Sequence, residues 1–128
     1  MSKIKEAYVS FETAKLLKEK GFECFSLYVY TLNEEGEYCL ERLYDDEFFE
    51  EKTMIFAPTQ QMAMKWLREV HNLFIQVELY QYTFEGEMKF QLEFFRYGSR
   101  LMKKPSMIFS SYEEAVETAI KYTLENLI

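Results

Sequence analysis

The sequence predicts an α+β fold in which three helices pack on a four-stranded, largely antiparallel sheet, in the order α-β-β-α-β-β-α. Three observations predict it. The hydrophobic period alternates along the chain between the helical value and two, turn residues divide the period-two stretches into hairpins, and the pattern recurs after fifty residues. The 128 residues suit a single domain, 1–128, that buries roughly two-thirds of its unfolded surface.

The first helix begins after Ser10, whose side-chain oxygen can accept hydrogen bonds from the free amides of the first turn. Phe11, Ala14 and Leu17 recur on one face of this helix. Gly21 ends it, because glycine adopts the backbone conformation that follows a helix without strain.

The first hairpin turns at residues 33–36, where Asn-Glu-Glu-Gly supplies turn chemistry. Its predicted inward positions are Phe25, Leu27, Val29 and Leu40. Residues 44–56 show neither period and carry the carboxylates Asp45, Asp46, Glu47, Glu50 and Glu51. We interpret this segment as an acidic surface connection.

The second helix begins near Pro58 and Thr59, because proline suits a first helical turn and threonine can cap it. Its predicted apolar stripe is Met62, Ala63, Trp66, Leu67 and Val70. The second hairpin turns at residues 83–86, and its predicted inward positions are Leu73, Ile75, Val77, Leu79, Met88, Phe90, Leu92 and Phe94.

An internal repeat relates the two halves of the chain. Residues 14–44 align with residues 64–94 without a gap and share seven identities, where about two are expected from average composition. The predicted repeat units are 10–45 and 59–95, and a third helix at about 111–127, capped near Ser111, closes the domain. The predicted core is Phe25, Leu27, Val29, Leu40, Trp66, Leu67, Ile75, Val77, Leu79, Phe90, Leu92, Ile120 and Leu124.

The outward face of the predicted sheet is both aromatic and polar. Its aromatic members are Tyr28, Tyr30, Phe74, Tyr80 and Phe95, and its polar members are Ser26, Glu41, Gln76, Glu78, Gln91 and Glu93. Two interpretations stay open: either the third helix lies across this face, or the face meets a partner.

No residue pattern in the chain predicts a reaction. Cys24, Cys39 and the single histidine, His71, are too few for a zinc site, and no glycine-rich phosphate loop is present. His71 falls in the last turn of the second helix, where a cationic or donor side chain complements free carbonyl groups. We therefore expect no catalytic residue, no metal and no cofactor.

Charge is distributed unequally over a chain whose net charge is −7. The connection after the first hairpin is acidic, whereas the one after the second carries Arg96, Arg100, Lys103 and Lys104. These four residues, with Tyr28, Tyr30 and Tyr80, are the candidate partner-binding residues. The partner is predicted to be another protein or a second copy in a homodimer, and the negative charge disfavours nucleic acid.

Three stretches resemble a family of small uncharacterised proteins of gut-type bacteria and their phages or prophages, and more loosely phage α-β-α sandwich domains. The stretches are VSFETAKLLKEKGF at 9–22, APTQQMAMKWLREVH at 57–71 and SYEEAVETAIKYTLENLI at 111–128. The resemblance implies an accessory protein of a phage or mobile element, and it carries over no site residue.

The sequence thus predicts a non-enzymatic interaction module. We expect it in the cytoplasm and off the membrane, since no apolar stretch has the length of a membrane span or the form of a signal peptide. Two alternatives stay open: an acidic inhibitor that mimics nucleic acid, and a small-molecule-binding domain.

Overall fold

The α+β class is confirmed by the computed structural model, which describes residues 4–23, 25–44, 48–82, 84–102, 104 and 108–128. Within those ranges the chain forms three helices and six strands. In chain order they are α1 Phe11–Glu19, β1 Tyr28–Leu32, β2 Tyr38–Arg42, β3 Met54–Phe56, α2 Gln60–His71, β4 Leu73–Tyr82, β5 Met88–Arg96, β6 Ser99–Arg100 and α3 Tyr112–Asn126.

The strands form two antiparallel sheets, so the prediction of one four-stranded sheet is wrong. Their orders are β2-β1-β3 and β4-β5-β6. Each predicted hairpin is present, but a third strand that the sequence did not reveal pairs with each of them. β3 lies within the segment interpreted as a connection and β6 has only two residues, and strands so short show no measurable period.

All three helices begin at the predicted caps. The hydroxyls of Ser10, Thr59 and Ser111 each accept a hydrogen bond from the amide three residues later, at 3.1–3.2 Å. Gly21 follows α1 with φ +95°, and Asn72 ends α2 in the left-handed conformation. The predicted stripe of α2 is partly wrong, because Met62 and Val70 are exposed while Met64 is buried.

The core consists of two clusters, and α3 contributes to both. In the first, α1 and α2 pack with Val116, Ile120 and Leu124 of α3. In the second, Ala115 and Ala119 of α3 pack on the apolar side chains of β4 and β5. Since α3 covers the apolar face of the second sheet, the alternative in which it lies across the aromatic and polar face is wrong for that sheet. In the first sheet Tyr30, which was predicted to face outward, packs against the first cluster.

Five predicted core residues are buried: Val29, Leu67, Leu92, Ile120 and Leu124. Four more, Trp66, Ile75, Val77 and Phe90, are partly buried against the clusters. The prediction is wrong for Phe25, Leu27, Leu40 and Leu79, which are exposed. The first two precede β1, Leu40 lies on an edge strand, and Leu79 lies near the far end of β4, beside a register shift.

The two hairpins share a register only near their turns. Thr31 pairs with Cys39, and at the fifty-residue offset Gln81 pairs with Lys89. A bulge at residues 79–81 then displaces the second hairpin by one position. The central strand also differs, since it is β1 in the first sheet and β5 in the second. The internal repeat therefore stays a prediction.

Candidate interaction surface

The second sheet has one face that α3 does not cover. Side chains alternate across a strand, and since Leu73, Ile75 and Val77 contact the core clusters, the intervening side chains point the other way. This outward face consists of the cross-strand pairs Phe74–Phe95, Gln76–Glu93 and Glu78–Gln91. It keeps the mixture of aromatic and polar residues that the sequence predicted for a partner-binding face.

Two of the candidate basic residues form ion pairs on this face. Nζ of Lys104 lies 2.5 Å from Oε1 of Glu93, and Nε of Arg100 lies 3.7 Å from Oε2. The Lys104 hydrogen bond, more than the charge of Arg100, holds the pKa of Glu93 below its usual range. The guanidinium of Arg100 also lies over the ring of Phe95, at 5.7 Å. Glu93 is therefore only 8% exposed although it points outward.

Arg96 bonds to the end of α3. Its Nη1 donates to the carbonyl of Leu127 at 2.9 Å, which complements the partial negative charge at a helix C-terminus. Lys103 lies outside the described residues. The three described basic residues thus have partners within the chain, since Arg96 and Lys104 donate hydrogen bonds and Arg100 forms an ion pair. A count of sequence charges does not reveal this.

His71 ends α2 and packs edge-on against Trp66, with ring centroids 4.8 Å apart. Burial, followed by the nearby charges of Arg96 and Lys20, lowers its pKa. Its buried Nε2 has no hydrogen-bond partner among the described residues. The neutral imidazole is therefore favoured, which argues against a cationic role at the helix end.

The three candidate tyrosines are divided between the two sheets, with Tyr28 and Tyr30 on β1 and Tyr80 on β4. Tyr28 packs against Tyr8, and Tyr30 donates its hydroxyl hydrogen bond to the carbonyl of Val9 while its ring meets Phe11. Burial, more than the charge of Glu117, raises the pKa of Tyr30. Tyr80 is exposed on the second sheet. The tyrosines do not form one surface.

Among the described residues, no strand pairs with the outer edge of β4. The amide of Tyr97 bonds to the carbonyl of Asn72, and Phe90 exchanges both backbone hydrogen bonds with Phe109 on the side away from β4. Because bonding direction alternates along an antiparallel strand, the backbone groups of Ile75, Val77 and Leu79 point away from β5. In the part of the chain that the structure describes, no hydrogen bond to these groups is made.

The composition of β4 leaves this edge unprotected. Natural edge strands are short or carry lysine, proline or inward-pointing charge that blocks pairing. β4 has ten residues and contains no lysine, arginine or proline. Its only charged residue, Glu78, accepts a hydrogen bond from Gln91 at 3.0 Å. Sequence reasoning missed the edge because it placed the strands in one sheet, although the missing basic residues were visible in the sequence.

A cleft of about 360 Å³ lies between α1 and β3. Its walls include Phe22, Phe49 and Ile55, and its charged lining residues are Lys18, Glu23 and Glu51. Asp45, Asp46 and Glu47 of the predicted acidic connection lie outside the described residues. Within the ranges described, no three metal-ligating side chains are grouped where an ion could bind.

No described helix combines the length and apolar character that a membrane crossing requires. No family model matches the sequence, and no curated protein or solved structure matches the chain. The resemblance to phage-related proteins of gut-type bacteria therefore stays a prediction.

Proposed function

We propose that this protein is a non-enzymatic interaction module that binds an extended segment of a protein along β4. The observation that carries the proposal is the open edge, where Ile75, Val77 and Leu79 point their backbone groups outward on a strand with no protecting residue. Strand addition uses such groups for affinity, while the neighbouring side chains select the sequence that binds.

The first sheet supports the proposal because a third strand already pairs with the first strand of its hairpin. The outer edge of β1 is occupied by β3, which runs antiparallel and pairs Tyr30 with Ile55. β1 and β4 are each the first strand of their hairpin. In the first sheet β3 pairs with β1, whereas in the second sheet no described strand pairs with the corresponding side of β4. A strand of another molecule could add there.

The outward face beside the edge would supply specificity. Phe74 and Gln76 are exposed next to the open groups, and a bound strand would place its own side chains beside theirs. Within this proposal the module is a cytoplasmic accessory protein of a phage or mobile element, as the sequence suggests. Arg100 and Lys104 then serve mainly to neutralise Glu93 and keep this face ordered.

Selection from a library of displayed nine-residue peptides with alternating apolar and polar positions tests the proposal. Selected peptides should bind the parent and fail to bind Leu79→Lys, because a lysine beside the edge blocks strand addition. Leu40→Lys is the matched control. Leu40 is exposed to 40% against 56% for Leu79, and it lies on β2, the open edge of the other sheet.

Amide hydrogen exchange gives the second measurement. Bound peptide should slow exchange at Ile75, Val77 and Leu79, whose amides point outward, and leave Gln76 unchanged because its amide already bonds to β5. Peptides that bind both lysine variants equally, or that leave these three amides unprotected, would show that the edge is not the docking site.

The cleft favours small-molecule binding as the second candidate function. Its volume of about 360 Å³ lies at the lower end of the range for ligand sites. Screening a fragment library by NMR tests it. A binder should be lost in Phe49→Ala, which alters the wall, and kept in Phe48→Ala, because Phe48 is exposed and does not line the cleft.

A further inference from the structure

We propose that the strand that occupies the edge of β4 is β4 of a second copy, so that two molecules share one six-stranded antiparallel sheet. The inference rests on the proposed function and specifies its occupant. A strand paired with its own copy around a two-fold axis is necessarily antiparallel, and this is the direction in which β3 already pairs with β1.

The outward backbone groups of β4 permit this pairing. With the axis at Val77, Val77 pairs with its own copy and Ile75 pairs with Leu79 of the second copy. Each pair joins residues whose amide and carbonyl groups point outward, so each can exchange two hydrogen bonds. The pairing would also cover the exposed side chain of Leu79.

The side chains between these positions select the register. With the axis at Val77, Gln76 lies opposite Glu78 of the second copy, and its amide can donate to the carboxylate. Moving the axis to Gln76 would place Glu78 opposite Phe74. Moving it to Glu78 would place the two carboxylates opposite each other, which is destabilising. The axis at Val77 is therefore the complementary choice.

The dependence on salt separates edge pairing from pairing through charged loops. Each copy carries a net charge of −7, so two copies repel at low ionic strength. Salt screens this repulsion, and a dimer formed through β4 should therefore tighten as salt rises. A dimer that joined the acidic connection to the basic residues would loosen instead.

Sedimentation of the purified protein over a concentration series tests the inference. The parent should form a dimer that tightens with salt. Leu79→Lys should weaken the dimer at least about tenfold, whereas Leu40→Lys should not. At low salt Gln76→Glu should weaken it about fivefold, because each dimer gains two opposed Glu–Glu pairs. Circular dichroism confirms that each variant is folded.

Three outcomes would overturn the inference: a parent that stays monomeric up to its solubility limit, a dimer that survives Leu79→Lys, or a dimer that Gln76→Glu leaves unchanged at low salt. The first rules out self-pairing only, because library peptides could still bind the edge and support the proposed function. If those peptides also bind Leu79→Lys as tightly as they bind the parent, the proposed function fails as well.

Discussion

Thr13→Val should destabilise the protein by about 2 kcal/mol, because the Thr13 hydroxyl joins α1 to α3. Thr13 is fully buried, and its Oγ1 donates to Oε1 of Glu117 at 2.7 Å. Oε1 of Glu117 also accepts a hydrogen bond from the amide of Ser10 at 3.0 Å. The carboxylate thus ties the start of one helix to the middle of another across more than a hundred residues of sequence.

The magnitude follows from the kind of bond that is lost. A hydrogen bond to a charged group contributes about 1.5–3 kcal/mol to stability. Valine has nearly the shape of threonine, so the substitution creates no cavity. The second carboxylate oxygen of Glu117 is buried with no partner among the described residues, and the group is therefore sensitive to losing a donor. A change of about 2 kcal/mol corresponds to a fall in Tm of about 7 °C for a chain of this length.

Thr123→Val is the matched control. Thr123 is equally buried, but its hydroxyl donates to the carbonyl of Ala119 at 2.9 Å within the same helix. That bond joins neutral groups and links no second element, so its loss should cost under about 1 kcal/mol. Urea unfolding, with an unchanged slope, measures both variants.

In a Glu117→Ala background Thr13→Val should cost much less than it does alone, because the acceptor is already absent. Equal losses for Thr13→Val and Thr123→Val in the parent would refute the reasoning. So would a Thr13→Val cost that is undiminished in the Glu117→Ala background.

The remaining predictions concern the charged groups, and each is checked by the urea midpoint. His71→Gln should flatten the pH dependence of stability: burial lowers the pKa of His71, so the parent loses stability as pH falls below the ordinary value of about 6.5. Glu93→Gln should remove the part of the parent's stability that disappears in acid. The Lys104 hydrogen bond lowers the pKa of Glu93, so the stability that the Glu93 carboxylate contributes to the parent is present above about pH 4.3 and is lost as pH falls through the folded pKa. Arg96→Gln should cost about 1.5 kcal/mol, because the bond to the end of α3 is lost, whereas Lys65→Gln, an exposed control, should cost almost nothing.

Helix positions could be predicted from the sequence because their signals are local. A capping hydroxyl bonds to an amide three residues away, as at Ser10 and Ser111, so the capping residue and the amide that it caps lie in the same short stretch of sequence. The hairpin turns were predictable for the same reason. Asn33 illustrates this, since its side-chain oxygen accepts from the amides of Glu35 and Glu37.

Strand partners and buried faces depend on contacts between distant segments. A period of two shows that faces alternate but not which face is buried, and Tyr30 was predicted to face outward although its ring packs against α1. The pairing of Thr31 with Met54 spans a segment with no strand signal. The sequence likewise shows four basic residues between positions 96 and 104, but it does not show that Glu93 pairs with two of them.

The two edges of the second sheet explain why self-pairing would stop at two copies. β4 is long and open, but the opposite edge is β6, which has two residues and carries the charged Arg100. A sheet that can extend on one side only forms a closed pair, whereas one with two open edges forms fibres. The first sheet offers its own open edge at β2, where Glu41 and Arg42 place charges along a short strand. Among the described edge strands, β4 is the one that is both long and free of lysine, arginine and proline.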